Sequence, residues 1–209
     1  MLKLAHIATA LIVNIVITSC LFFLLAVTPS VFMESTPPLA SEIRSYLFDL
    51  KKPLLIGSPQ LNSKEERHLL DVKRILQNVS WITLLATTLA IFGLLLCWRK
   101  KGVIIKYIGR SGLIGLTFTM TYLSVSGFRN NFIWLHSLLF PPDSWWFNEE
   151  STLIRLFPLE FFQEFTVNYV ILLALVFSIF WWINHNSPSD QPAYKGNQQS
   201  NSQPRSENH

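Results

Sequence analysis

Two strings hold the side chains that could move a proton. EERHLLDVKRIL, residues 65–76, carries His68 and Asp71; NFIWLHSLLFPPDSWWF, residues 131–147, carries His136 inside an apolar run. Imidazole titrates near pH 6.5, so a histidine can take up a proton and return it at neutral pH. Along a helix of about 100° per residue, Val72, Ile75, Leu76 and Val79 fall within about 80° of His68, and Arg67, Lys73 and Arg74 fall on the opposite half. His68 therefore belongs to the apolar face and the long charges to the solvated one. Asp71 lies about 60° round and one turn on, close enough to interact with His68. The same pattern fits a histidine satisfied by Asp71 in a packed interface. His136 equally fits a core histidine bonded to a backbone carbonyl, although an all-apolar neighbourhood is a costly place for a polar ring.

Four apolar stretches are long enough to hold these strings against a membrane. Crossing takes about 20 residues at about 1.5 Å each, a length met by residues 7–28, 79–98, 103–127 and 167–183. The third is interrupted by Lys106 and Arg110, which lie on one face near a membrane end, where long side chains can snorkel. The first exceeds the roughly 7–15 apolar residues of a signal peptide, so a retained helix is expected. Arg99, Lys100 and Lys101 fill the turn between the second and third stretches, with Lys3 and Lys195 near the termini; their charge predicts that this turn and both termini are cytoplasmic. Segments 29–78 and 128–166 then face outward together, each with one histidine.

The nine apolar residues around His136, closed by Pro141-Pro142, are too few to cross and suit an interfacial or re-entrant piece. Trp145 and Trp146 have the character of headgroup-belt residues. STLIRLFPLEFF, residues 151–162, mixes Arg155 and Glu160 into apolar sequence in the same interfacial manner. The expected fold is an all-α membrane protein: four transmembrane helices with two extracytoplasmic segments packed at the outer membrane interface. Residues 1–186 form the integral domain, and residues 187–209, rich in Pro, Ser, Asn and Gln, form a disordered cytoplasmic tail. Both outward histidines fall at the depth of lipid glycerol backbones, and with Asp71 they point to proton-transfer chemistry on a lipid ester.

Composition agrees with a membrane class. Half of the 209 residues are hydrophobic and only 14% charged, against about 25% charged in soluble domains, and the mean hydropathy is +0.32. The formal charge of +4 is too small and scattered to argue for nucleic acid. Cys20 and Cys97 sit at different membrane depths and should not pair, and the outward segments hold no thiol for covalent catalysis. There is no Gly-rich phosphate loop, GxSxG or CxxC, so neither a cofactor nor a resident metal is expected.

Taken in order, Glu65, His68, Leu69, Asp71, Val72 and Lys73 before the second span, then FIWLHSLLFPPDSW, then LIRLFPLEFF before the fourth, resemble the Lit family of lipoprotein intramolecular transacylases. The resemblance covers roughly residues 5–185. Leu69 stands where methionine is common, and Trp134-Leu135 where the run is usually phenylalanine-rich. The resemblance implies a bacterial inner-membrane enzyme with its site at the outer leaflet. It would act on diacylglyceryl-modified lipoproteins among membrane lipid. An acyl chain would move from the sn-2 glycerol ester to the α-amine of the lipoprotein's own N-terminal cysteine. His68 and His136 match the family's functional histidines, and Asp71, Asp143, Trp145 and Arg155 stand in matching strings as supporting residues. An α-amine has a pKa of about 7.7–8.0, so a base must free its lone pair. His68 would be that base, held by Asp71, and His136 the partner of the oxyanion, with the swapped roles also open.

Two other readings rest on the same residues. A transport or scaffold protein would use the histidines to carry protons or to pack, but no carboxylate or histidine lies at midplane depth, where transport sites sit. A metal-dependent hydrolase would need His68, Asp71 and His136 to converge on zinc.

Overall fold

The computed structural model of the chain describes residues 2–28, 38–49 and 60–185. Among these residues seven α-helices follow one another: α1 (Leu2–Val27), α2 (Pro38–Phe48), α3 (Ser63–Leu96), α4 (Lys101–Ser126), α5 (Phe128–Leu139), α6 (Thr152–Leu156) and α7 (Leu159–His185), with a 3₁₀ turn at Trp98–Lys100. No strand occurs among the described residues. The tail expected over 187–209 lies outside them, as do residues 29–37 and 50–59 of the first outward segment.

α3 is started by a reciprocal cap. The Asn62 side chain accepts from the Lys64 and Glu65 amides, and the Glu65 carboxylate accepts from the Asn62 amide. From there the helix runs 34 residues without a break, about 51 Å at 1.5 Å per residue. That is well beyond the roughly 30 Å of a hydrocarbon core. The apolar second half is long enough to cross such a core by itself, and the charged first half, Ser63 to about Asn78, extends beyond that length. The interfacial helix and the second span expected separately are one rigid rod. The last span likewise starts earlier than residue 167, at Leu159, and absorbs the end of the 151–162 string; only Thr152–Leu156 stands apart as α6.

Among the described residues three helices, Lys3–Val27, Ser63–Leu96 and Leu159–Ile183, are long and apolar enough to cross a membrane. α4, at 26 residues, is about as long as the first and last of these but carries Lys106, Arg110 and a run of hydroxyl residues. Thr117, Thr119, Thr121, Ser124 and Ser126 each donate to the carbonyl four residues back, so their hydroxyls are satisfied within the helix. α1 packs against α3, α4 and α7, and α4 lies along α7. Small residues let the backbones close: a Cβ on Gly109 would sit 2.6 Å from the Trp181 amide nitrogen, and one on Gly112 2.5 Å from the Phe177 ring. Ala10, Ile104, Ile108, Leu173 and Phe177 fill the seam. Polar groups add to it, with Asn14 donating to the Ser111 hydroxyl at 2.8 Å and the Tyr169 hydroxyl to the Thr18 carbonyl at 2.8 Å.

A second core, Ile43, Tyr46, Leu61, Leu69 and Leu153, joins α2, the charged half of α3 and α6. It corrects one expectation. Lys73, read as part of the solvated face, is buried. Its ammonium lies 4.1 Å from the Tyr46 ring centroid and donates to the Asp49 carbonyl at 2.9 Å. α2 has been laid over that side of α3, which helical angles cannot reveal. Arg67 and Arg74 are exposed as expected, and Cys20 and Cys97 are free thiols.

Candidate active site

Each histidine is placed by its own helix. His68 occupies the second turn of α3, on the face that looks away from Arg67. α4 ends at Gly127, whose φ of +77° is open to glycine at little cost. The chain turns there into α5, which stops at Phe140 before Pro141, a residue that could not continue it. This brings His136 opposite His68, with ring centroids 6.3 Å apart and the planes within 25° of parallel. A ring nitrogen reaches a partner at about 3 Å, so a single ester group can touch both rings.

The walls are aromatic. Phe140 lies 4.7 Å from His68 and 5.3 Å from His136, so it backs both rings. Phe147 lies 5.4 Å from His68 edge-on, and Phe132 and Trp145 lie tilted against His136 at 4.0 and 5.3 Å. Burial is the main reason that both imidazoles resist protonation. His68 is pushed down to about 4, with His136 and Lys64 adding to the effect and Asp71 opposing it. His136 is also pushed down by burial, against a backbone hydrogen bond that favours its charged form. At neutral pH both rings are uncharged.

Their protons sit differently. His136 Nδ1 is 2.8 Å from the Phe132 carbonyl oxygen. A carbonyl only accepts, so Nδ1 carries the hydrogen and Nε2 holds a free lone pair. His68 Nδ1 is buried with no partner. An unpaired buried N–H is harder to tolerate than an unpaired acceptor, which puts the His68 proton on Nε2. The pair thus offers one N–H donor and one lone pair to whatever enters between them.

Of the supporting residues, Trp145 joins the site. Asp71 does not hold His68: its carboxylate pairs with Arg74 at 3.3 Å, and it reaches the histidine only through its field. Asp143 is exposed at the tip of the turn after Pro141-Pro142, in the left-handed region at φ +62°. Arg155 is exposed on α6. Neither is brought to the histidines. Among the described residues no group of three or more metal-ligating side chains converges, so the HxxD string and His136 do not build a zinc site.

Sequence reasoning passed over Phe132, Phe140 and Phe147, although the first two stand four residues either side of His136. It named Glu65 only as part of a string and gave it no role, although the residue is just 1% exposed. Its carboxylate accepts from the Ser151 hydroxyl at 2.5 Å, the Leu153 amide at 3.2 Å and the Asn62 amide at 2.8 Å. Burial pushes this carboxyl up, but the hydrogen bonds outweigh it and hold it below the usual range. Glu65 three residues after Asn62, in the order of a capping box, was the available signal.

A family model for the lipoprotein intramolecular transacylase Lit matches residues 7–162. An uncharacterised protein of Aquifex aeolicus (strain VF5) is 30% identical over 131 residues, 62% of this chain and 58% of the relative, so the match spans less than two thirds of that relative's length. The fold is similar to the in meso structure of the membrane-integral lipoprotein intramolecular transacylase Lit from Bacillus cereus. The TM-score is 0.74 at 17% identity, over 88% of this chain and 94% of that one. A histidine-to-arginine variant of the same protein matches with a TM-score of 0.72 at 17% identity, over 88% and 90% of the two chains. At that identity the likeness is one of fold.

Proposed function

The chain belongs to the Lit family of lipoprotein intramolecular transacylases, and on that premise we propose that it converts diacylglyceryl-modified lipoproteins to the lyso form. The sn-2 acyl chain moves to the α-amine of the N-terminal cysteine of the same molecule. The amine nitrogen attacks the ester carbonyl carbon, and a tetrahedral oxyanion forms. The bond from that carbon to the sn-2 oxygen then breaks. One amide replaces one ester, and a free hydroxyl is left on the glycerol. Amine and ester sit on one substrate, so much of the orientation is built in, and an ester-to-amide exchange runs downhill without a nucleotide.

The ring protons support His136 as the base and His68 as the oxyanion donor, the reverse of the assignment that the sequence favours. The Phe132 carbonyl fixes the His136 tautomer and orientation. Its Nε2 takes the proton from the attacking amine and returns it to the departing sn-2 oxygen. His68, kept neutral by burial, presents Nε2–H to the oxyanion; a neutral imidazole donor needs a depressed pKa of this kind. The aromatic walls exclude water, which would otherwise hydrolyse the ester.

The observation that carries this reading is the facing pair of histidines, from two separate elements, inside an aromatic pocket at one end of an apolar bundle. The basic turn at Arg99, Lys100 and Lys101 lies at the other end of α3, about 42 Å from His68 at the helical rise. This supports four spans, both termini in the cytoplasm and a site at the outer face of the bacterial inner membrane. The test is expression in a strain without other N-acylation, with mass spectrometry of a reporter lipoprotein's N-terminus. An N-acylated cysteine on a monoacylglyceryl thioether is expected; a reporter left diacylated with a free amine overturns the reading.

A further inference from the structure

We propose that Glu65 is a positioning residue for the acyl transfer, holding the segment from Trp145 to Ser151 as a strap across both histidines; the inference rests on the transacylase reading. Between Phe140 and Thr152 the chain has no helix of its own, yet it supplies Trp145 against His136 and Phe147 against His68. Its own hydrogen bonds are short turns, Ser144 amide to Pro141 carbonyl and Ser151 amide to Asn148 carbonyl. What fixes it in space is the beginning of α3. Glu65 receives the Ser151 hydroxyl and the Leu153 amide, Lys64 donates to the Trp146 carbonyl at 2.6 Å, and the Thr152 hydroxyl donates to the Gln60 carbonyl at 2.7 Å. The Lys64 ammonium also lies 5.2 Å from the Phe147 ring centroid.

Glu65 is one turn before His68 on the same rigid helix. The carboxylate that starts the helix therefore also fixes the distance between the first histidine and its lid. An apolar cluster seats Phe147 and Leu153 as well, but apolar contact is non-directional. Two hydrogen bonds to a buried carboxylate, from the Ser151 hydroxyl and the Leu153 amide, set the register of the strap. The strap in turn keeps water from His68, whose titratable neighbours are His136 on α5 and Lys64 and Asp71 on α3.

Purified full-length protein with a synthetic diacylglyceryl lipopeptide tests the assignment, read as initial rate of N-acyl product. Carbon-labelled histidine supplies the second readout, the NMR titration of the His68 ring. Glu65→Ala is expected to slow transfer by about a hundredfold, as misplacement by an ångström does, and to make His68 titrate between about pH 5 and 7, toward the value of an exposed imidazole. Glu65→Gln and Ser151→Ala, which keep part of the bonding, should fall between. An unchanged rate, or a slowed rate with His68 still untitrated above pH 5, overturns the proposal. If Glu65→Ala does not fold, Ser151→Ala decides by the same two readings. Wild-type protein that forms no N-acyl product sinks the transacylase reading instead, and the His68 titration then still decides whether Glu65 holds the strap.

Discussion

His68 and His136 are the same residue type in one pocket, yet their ring nitrogens are committed differently, and that difference predicts unequal tolerance. Glutamine retains an N–H but offers no basic nitrogen. His68→Gln should therefore keep measurable conversion of the reporter lipoprotein, reduced by about a hundredfold for a weakened oxyanion donor. His136→Gln should fall to background, because the base itself is gone. His68→Ala and His136→Ala should both abolish conversion while leaving protein levels unchanged on immunoblots. Burial also ties His68 to acid stability. The unfolded chain binds a proton at this ring near pH 6.5, whereas the folded ring stays neutral to about 4. Protons thus favour the unfolded state in that window, and stability is complete above about pH 6.5 and lost as pH falls toward 4. Melting midpoints measured from pH 7 to pH 4 should drop, and His68→Phe should flatten the drop.

At the scale of elements, α3 does two jobs with one rod. Its apolar half packs on α1 and its charged half carries His68, so the bundle and the pocket share one element. The α4–α7 seam depends on closeness, and the glycines predict where closeness matters. Gly109→Ala drives a methyl against the Trp181 backbone, which cannot yield as a side-chain tip could. It should cost about 1–3 kcal/mol, the usual range for overpacking, seen as a lower melting midpoint in detergent. Gly115 lies in the same helix, and nothing stands within 4 Å of where its methyl would sit. Gly115→Ala should be neutral or gain up to about 1 kcal/mol of helix propensity. Equal effects at the two positions would mean that the seam is not packed as described.

At the scale of the molecule, the number of crossings rests on α4, whose polar groups leave it less apolar than the other long helices. Cysteines placed at its two ends test it. With Cys20 and Cys97 replaced by serine, Lys101→Cys should react with an impermeant maleimide only after the cells are opened, and Arg129→Cys should react in intact cells. Labelling of both from the same side removes the fourth span. Truncation after residue 186 should leave reporter conversion intact, since the pocket is built from residues between 62 and 153.

Much of this was legible in particular residues. Apolar length marked the long helices, helical angles put His68 on the packing face, and the break at Pro141-Pro142 set off the short helix that carries His136. All of these are local properties, determined by neighbours a few positions away. Lys73, Asp71 and Glu65 were not legible in the same way. Lys73 is buried only because α2 lies over it, Asp71 turns to Arg74 rather than to His68, and Glu65 meets Ser151 from 86 positions away. By itself the sequence determined an all-helical membrane chain with two histidines as the side chains best suited to proton transfer. Only the tertiary structure decided that they face each other, which nitrogen of each is free and what covers them. Those depend on distances between separate elements, and such distances are set by how the helices pack.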